Sequence, residues 1–239
     1  MNEDELLTRV RELREAGWSP KQIARTIGLR PAELAPLVRR VAVDDAAAAP
    51  EPPVVGCWVS PGWSAGLTVD GHDDWPDASA VSRGRDGVAS VVVARRQRSH
   101  RVSVCGFLVD VFCLGVKNAL GPEVMDEGDL RGFVHEFFTP FREAGRPAEA
   151  SLELVRHLVW GAVDYARGLG FDPAPDFEPA AGHLGVWQQT SAITFGRNGM
   201  PLYVAGPYDK PEAVLRTLNR TVGRGNFHTF VPGAAGSAL

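Results

Sequence analysis

The chain has 239 residues, of which 44% are hydrophobic and 23% are charged, so most of it can bury an ordinary globular core. Its formal net charge of −4 argues against non-specific binding of nucleic acid or an anionic membrane by the whole molecule. Three cysteines without a CxxC pair argue against a disulfide framework or a zinc ribbon, and no apolar run approaches about 18 residues. We therefore expect a cytoplasmic protein without a membrane partner.

The first elements in the chain are three short amphipathic helices within residues 4–42. Apolar residues recur at helical spacing between residues 6 and 13. The sequence Ser-Pro-Lys-Gln at 19–22 has the pattern of a capping box with proline at the first helical position. Gly28 ends this second helix, and Pro31 begins a third one.

The spacing of small and apolar residues in this region resembles the helix-turn-helix of bacterial regulators. Counted from Pro20, Ala24 is the fifth residue, Gly28 the ninth, Leu34 the fifteenth and Leu37 the eighteenth. A small residue is needed where the two helices touch, a glycine opens the turn, and buried aliphatic residues hold the second helix across the first. The resemblance implies that the third helix enters the major groove of DNA.

Charged residues of this unit are the candidate contacts to double-stranded DNA, with arginine and lysine on phosphates and residues near Pro31 on bases. They are Lys21, Arg25, Arg30, Glu33, Arg39 and Arg40. Residues 1–41 hold eight basic and six acidic residues, hence +2, which leaves −6 for the rest of the chain. A unit with so few cations binds DNA weakly alone, so we expect a homodimer formed through the rest of the chain.

Two features favour the alternative that this unit docks protein. Pro36 lies inside the third helix and costs about 3 kcal/mol unless the helix kinks or starts later. The small side chains of Ala32 and Ala35 read little base sequence.

Residues 43–53, VDDAAAAPEPP, have no periodic apolar face and are predicted to form a linker that is stiff near its end. A second domain then covers residues 54–233. Residues 60–87 are rich in Gly, Asp, Ser and Pro and are predicted to form a long loop without regular structure.

Within the second domain, strands and helices come in clusters, which predicts an α+β fold with a mainly antiparallel sheet. The predicted strands are 54–59, a hairpin of 87–95 with 101–112, a hairpin of SAITF with MPLYVAG around Asn198-Gly199, and a closing strand at 226–231. The predicted helices are 133–141, 152–166, and one from about 210 to 222 capped by Asp209.

The segment FLVDVFCLGVKNALGP contains the weak candidates for catalysis: Asp110, Cys113 and Lys117. In an unbroken strand, Asp110 shares a buried face with Phe112 and must be paired, protonated or functional. One interpretation makes Cys113 a nucleophile beside Asp110 and Lys117. The other makes Cys113 a small core residue and Asp110 with Lys117 a structural ion pair or a turn lock.

Histidines and acidic residues elsewhere predict no metal site and no cofactor. The segment DGHDDWPD at 70–77 has four carboxylates and His72 but matches no known ligand spacing, and it is predicted to be a solvated loop. His157, His183 and His228 also show no ligand spacing.

Three segments, LVDVFCLGVKNA, GAVDYARGLGFDPAPDF and FGRNGMPLYVAGPYD, together resemble an uncharacterised family of bacterial proteins. The resemblance covers most of residues 54–231 and implies that this domain is an independent module. It brings no activity, cofactor or catalytic residue.

Three hypotheses follow for the whole chain. The first is a DNA-binding regulator whose second domain dimerises or senses a ligand. The second is an enzyme that uses the region of Asp110, Cys113 and Lys117. The third is a scaffold whose helix-turn-helix binds protein.

Overall fold

The computed structural model describes residues 2–48, 51–78 and 87–231. The chain divides into two compact units, Met1–Glu51 and Pro52–Leu239. Parts of the predicted linker (49–50), of the predicted loop (79–86) and of the predicted second domain (232–233) lie outside the described residues. Within the described part, no helix is both long enough and apolar enough to cross a membrane.

The helices and strands are numbered here in chain order. The helices are α1 Glu3–Glu15, α2 Pro20–Ile27, α3 Pro31–Ala48, α4 Leu130–Phe137, α5 Leu152–Gly168, α6 Phe177–Ala181 and α7 Pro211–Thr221. The strands are β1 Val54–Val59, β2 Thr68–Val69, β3 Val88–Arg96, β4 Arg101–Asp110, β5 Gly115–Asp126, β6 Ala148–Glu149, β7 Ile193–Thr194, β8 Leu202–Val204 and β9 His228–Phe230. This is the α+β class that the sequence predicts, with a three-helix N-terminal unit.

Local signals in the sequence set the ends of the first two helices. Asn2 begins α1 with a capping box, and Ser19 begins α2 with another, in which the side chains of Ser19 and Gln22 cap each other's backbone amides. Gly28 ends α2 in the left-handed conformation, at φ 76°. The buried residues of the three helices form one small core: Leu7, Val10, Leu13, Ile23, Ala24, Leu34 and Val41.

Helix α3 is longer than the sequence pattern predicts. It runs from Pro31 through Pro36 to Ala48, so residues 43–48 of the predicted linker are helical. Alanine has the highest helix propensity of all residues, and a run of alanines extends a helix that is already nucleated without needing an apolar face. The helix also does not start later to avoid Pro36, which lies in its second turn.

The second unit is built on a five-stranded sheet in the order β5-β4-β3-β1-β6, in which every neighbouring pair is antiparallel. Side chains alternate between its two faces along each strand. Val91 and Val93 of β3 pack with α5 in the main core, whereas Val92 and Ala94 pack with α4 on the other face. The sheet therefore lies between two helical layers.

The described part of the predicted loop, residues 60–78, contains side chains that pack in the main core. Trp63 and Trp75 are 1% and 5% exposed, and the Trp63 indole N–H donates to the Pro76 carbonyl oxygen at 2.7 Å. Strand β2 lies inside this segment and pairs with β7. Within the described part, the prediction of a stretch without regular structure was wrong only for Thr68–Val69, which form β2. The buried tryptophans anchor the rest of the described segment as an irregular but packed loop.

The prediction that the two segments flanking Asn198-Gly199 pair with each other as a hairpin was also wrong. The turn itself is present, with Asn198 at φ 52° and Gly199 at φ 81°. Its flanking strands do not pair with each other: β7 pairs with β2, and β8 pairs in parallel with β9. A turn signal predicts the local bend, but pairing of short strands is decided by distant partners.

Candidate functional site

The six charged residues predicted to contact DNA are all exposed, two on α2, three on α3, and Arg30 in the turn between them. Two of them are engaged with each other: the Arg30 guanidinium forms a salt bridge with the Glu33 carboxylate. Glu33 also accepts from the Arg30 backbone N–H at 3.0 Å and so caps α3. The Arg30 guanidinium lowers the pKa of Glu33. Glu33 is therefore committed to the helix start rather than held open for a base.

Asp110 closes the turn between β4 and β5. The strand ends at this residue, so Phe112 does not share its strand face as the unbroken pattern predicts. Oδ1 of Asp110 accepts from the backbone N–H groups of Phe112 and Cys113, each at 2.9 Å. Burial raises the pKa of Asp110 to about 6, although the two amides lower it. The Asp110 carboxylate thus holds the turn through backbone amides, whereas the structural interpretation of the sequence paired Asp110 with Lys117.

Lys117 pairs with a residue that the sequence did not suggest. Its Nζ lies 2.8 and 2.9 Å from the two carboxylate oxygens of Asp209. Asp209 also accepts from the Gly206 N–H at 2.8 Å, and from the Tyr203 hydroxyl at 3.4 Å. Burial alone would raise the pKa of Asp209, but the bonds from Lys117 and Gly206 outweigh it and the pKa is lowered.

The same finding corrects the predicted cap of the last helix. Asp209 is not the N-cap of α7: that position is Lys210, which makes no side-chain capping bond. The Asp209 carboxylate is used instead by Lys117. We call Asp110, Lys117, Tyr203 and Asp209 the carboxylate–lysine cluster.

This cluster lies where the three segments of the sequence resemblance meet. The Gly196 N–H donates to the Val111 carbonyl oxygen at 3.0 Å, and the Leu202 N–H donates to that of Phe112 at 3.2 Å. Gly115 approaches α5 so closely that a Cβ there would lie 2.8 Å from the Ala166 Cβ. The segments therefore form one packed junction.

Cys113 lies in this junction with a side chain that is 0% exposed. Burial, and then the charge of Asp110, raise the pKa of its thiol, and Lys117 offsets only part of that effect. A nucleophilic cysteine needs an accessible thiolate, which a buried thiol with a raised pKa does not provide. The arrangement has the properties of a structural polar cluster rather than of a catalytic centre.

A second group of side chains converges elsewhere in this unit. His72 follows β2, whereas Glu153 and His157 lie one turn apart on α5. Each of the three offers a ligand atom, and these atoms all lie within 4.8 Å of one another. Glu153 is exposed, His72 is half-buried and His157 is buried. We call these three residues the histidine cluster.

Aromatic and backbone contacts hold the two imidazole rings. The His72 ring stacks on Trp75, with 4.0 Å between ring centroids and 14° between planes. Trp187 contacts the His157 ring edge to face at 4.8 Å. The Ala192 N–H donates to Nδ1 of His157 at 2.8 Å. Burial, and then the charge of His72, lower the pKa of His157, and Glu153 offsets only part of that effect.

The close approach of residues 191–192 to Gly161 of α5 makes the hydrogen bond between Ala192 and His157 possible. A Cβ on Gly161 would lie 2.6 Å from the Ser191 Cβ, so only glycine lets the chain at Ser191 and Ala192 lie against the helix. The Ser191 hydroxyl then donates to the His157 carbonyl oxygen at 2.8 Å.

Sequence reasoning missed the histidine cluster. The prediction of a solvated loop holds for the exposed carboxylates of Asp73 and Asp74, but not for His72 and the buried Trp75. Two signals could have found the site. Glu153 and His157 have the i, i+4 spacing that brings side chains together on a helix, and a tryptophan in a polar segment indicates an anchored loop.

Comparisons with protein-family profiles, with curated proteins and with solved structures find no match to this chain. Two resemblances therefore stay predictions: that of the three segments to an uncharacterised bacterial family, and that of residues 20–37 to the helix-turn-helix.

Proposed function

We propose that this chain is a DNA-binding regulator of the bacterial helix-turn-helix type, acting in the cytoplasm, with the α+β unit as its dimerisation or ligand-sensing part. One observation carries the proposal. Helices α2 and α3 are joined by residues 28–30, with Gly28 left-handed and with Ala24 and Leu34 buried between the helices. This arrangement combines the short turn and the small contact residue that such DNA-binding units need.

Exposed cations supply the charge for this function. Lys21 and Arg25 lie one turn apart on α2, and Arg39 and Arg40 follow each other on α3. Cations of this kind contact phosphates and fix the position of a helix on the duplex without reading sequence. The Arg30–Glu33 salt bridge uses up two of the charges at the start of α3. Specific occupancy therefore requires two copies on two half-sites.

An electrophoretic mobility shift with the full-length chain and a pool of random-sequence duplexes tests this proposal. We expect a shift at about 50 mM salt that weakens steeply at about 200 mM, because binding releases counterions. The variant Lys21→Gln/Arg25→Gln loses two phosphate contacts, so its salt slope falls by about 2. Arg131→Gln, an exposed charge of α4, is the matched control and keeps the slope of the parent chain.

The alternative is a unit that docks protein. It is favoured by the engagement of Arg30 with Glu33 and by the small exposed side chains at Ala32 and Ala35. The absence of any shift at low salt, or a shift that is unchanged in the Lys21→Gln/Arg25→Gln variant, would contradict DNA binding through these helices and favour docking.

A further inference from the structure

We propose that the histidine cluster binds one divalent first-row transition-metal ion, such as Zn²⁺ or Co²⁺. Two imidazoles and one carboxylate are a ligand set that such ions accept, with further positions left for water or a small ligand. The ligand atoms of His72, Glu153 and His157 all lie within 4.8 Å of one another, close enough for a small movement of the exposed Glu153 side chain to bring them onto one ion. This inference concerns the α+β unit alone and does not depend on DNA binding.

The ligands come from parts of the fold that are held in place before an ion arrives. Glu153 and His157 project from the same face of α5 because they are one helical turn apart. His72 is held by its stacking on Trp75, which is itself 5% exposed and lies beside Trp63 in the main core. A site whose ligands are already oriented loses little conformational entropy on binding.

The hydrogen bond at His157 sets a condition on binding. Because the Ala192 N–H donates to Nδ1, the neutral ring carries its own proton on Nε2. An ion binds only a nitrogen that has a free lone pair. If it binds Nδ1, it takes the lone pair from the amide. If it binds Nε2, the ring proton moves to Nδ1, where it faces the amide as a second donor. In both cases Ala192 loses its acceptor.

Ala192 connects the two sides of the cluster. Its carbonyl oxygen accepts from the Asp70 N–H at 2.9 Å, at the start of the loop that carries His72. The next residue, Ile193, pairs with Val69 in the β2–β7 ladder. Release of the Ala192 amide from His157 therefore changes the hydrogen bonding of the segment that links this loop to α5. The ion is coupled to a defined local rearrangement, which is what a sensing domain requires.

Titration of the untagged full-length chain with Co²⁺ tests the site, because Co²⁺ held by imidazole and carboxylate shows visible ligand-field absorption. We expect one equivalent to bind and Zn²⁺ to displace it. Glu153→Gln and His72→Gln, which change partly exposed side chains, weaken binding at least about tenfold. The control His135→Gln removes an exposed histidine of α4 and leaves the affinity unchanged. Binding that is absent at about 1 mM Co²⁺, or equal in all variants, overturns the proposal.

Hydrogen exchange at the Ala192 amide tests the coupling. Without metal the amide is protected by its bond to His157, and a saturating amount of Zn²⁺ is expected to speed its exchange at least about tenfold. Amides in the middle of β4 serve as the internal control and stay protected. Unchanged protection at Ala192 in the Zn²⁺-bound chain would refute the displacement of this amide. Both experiments are done without DNA, so their failure is distinguishable from failure of the proposed regulator function.

Discussion

The carboxylate–lysine cluster and the histidine cluster differ in what their polar atoms contact. In the first, Asp110 is used by two backbone amides and Asp209 by Lys117, Gly206 and Tyr203. In the second, the carboxylate of Glu153 is exposed, the ligand atoms of the three residues lie within 4.8 Å of one another, and Nδ1 of His157 accepts from the Ala192 N–H. Polar groups that hydrogen-bond to one another stabilise the fold, whereas polar side chains that converge at a partly solvent-exposed position can bind a ligand.

The two clusters also differ in how directly the sequence reveals them. Two residues of the first cluster, Asp110 and Lys117, come from one dense segment that also holds Cys113. The second combines a loop residue with two helix residues far away in sequence. The short spacing of Asp110, Cys113 and Lys117 along the chain drew attention to the first cluster, whereas the histidine cluster is brought together only by the fold.

The largest expected effect concerns the reactivity of the cysteine thiols in the native chain. All three cysteines are buried, Cys57 at 2% exposure and Cys105 and Cys113 at 0%, and burial raises the pKa of Cys57 and of Cys105 to about 12. We expect an aromatic disulfide reagent to label the native chain at least about 10³-fold more slowly than the unfolded chain, because labelling requires opening. Fast labelling of Cys113 in the native chain would restore the nucleophile interpretation.

Removal of the lysine from the carboxylate–lysine cluster is expected to destabilise the fold. Lys117→Met leaves the Asp209 carboxylate mostly buried without its cation, at a cost of about 3 kcal/mol in the free energy of unfolding. The double variant Lys117→Met/Asp209→Asn recovers part of this loss, since no unpaired charge remains. Urea denaturation at pH 7 measures both, with Lys210→Met, an exposed neighbour, as the control. A loss no larger than that of the control would mean that this pair is not structural.

A pH series tests the turn lock at Asp110. Because its pKa is raised to about 6 in the folded chain, the folded state binds the proton more tightly than the unfolded state does. Stability from this group is therefore full below about pH 4 and is lost as the pH rises through about 6.

Asp110→Asn removes this dependence. The free energy of unfolding of the parent chain should fall relative to that of the variant by about 2 kcal/mol between about pH 4 and 7. Urea denaturation at several pH values measures the difference, and Asp164→Asn, an exposed aspartate of α5, is the control. If the difference in free energy of unfolding between the parent chain and the variant does not change with pH, the pKa of Asp110 is not raised in the folded chain.

Much of the fold could be predicted because its signals are local. The capping box at Ser19 and Gln22, the hairpin of β3 with β4 and the apolar stripe of α5 each lie within one stretch of chain. The pairing of β7 with β2 and of β8 with β9 could not be predicted in this way. These strands are two or three residues long, and such short elements are positioned by packing rather than by their own pattern.

The candidate site was less predictable than the fold. The sequence offered Lys117 as the partner of Asp110, but Asp110 bonds to two backbone amides and Lys117 to Asp209, which is far along the chain. His72 was assigned to a solvated loop because its segment matches no ligand spacing. Its environment is set by Trp75, which is buried in a core shared with α5.

The smallest expected effect is that of removing the exposed carboxylate of the histidine cluster. Glu153→Gln removes a charge from the histidine cluster at an exposed position, and in the presence of a metal chelator it should change the free energy of unfolding by less than about 0.5 kcal/mol. Asp209→Asn is the matched change of an acid to its amide in the other cluster, and it should cost clearly more because Lys117 loses its partner. Urea denaturation of the two variants beside the parent chain measures both values. A large loss in Glu153→Gln would show that Glu153 serves the fold, and it would remove the ground for treating the histidine cluster as held open for a ligand.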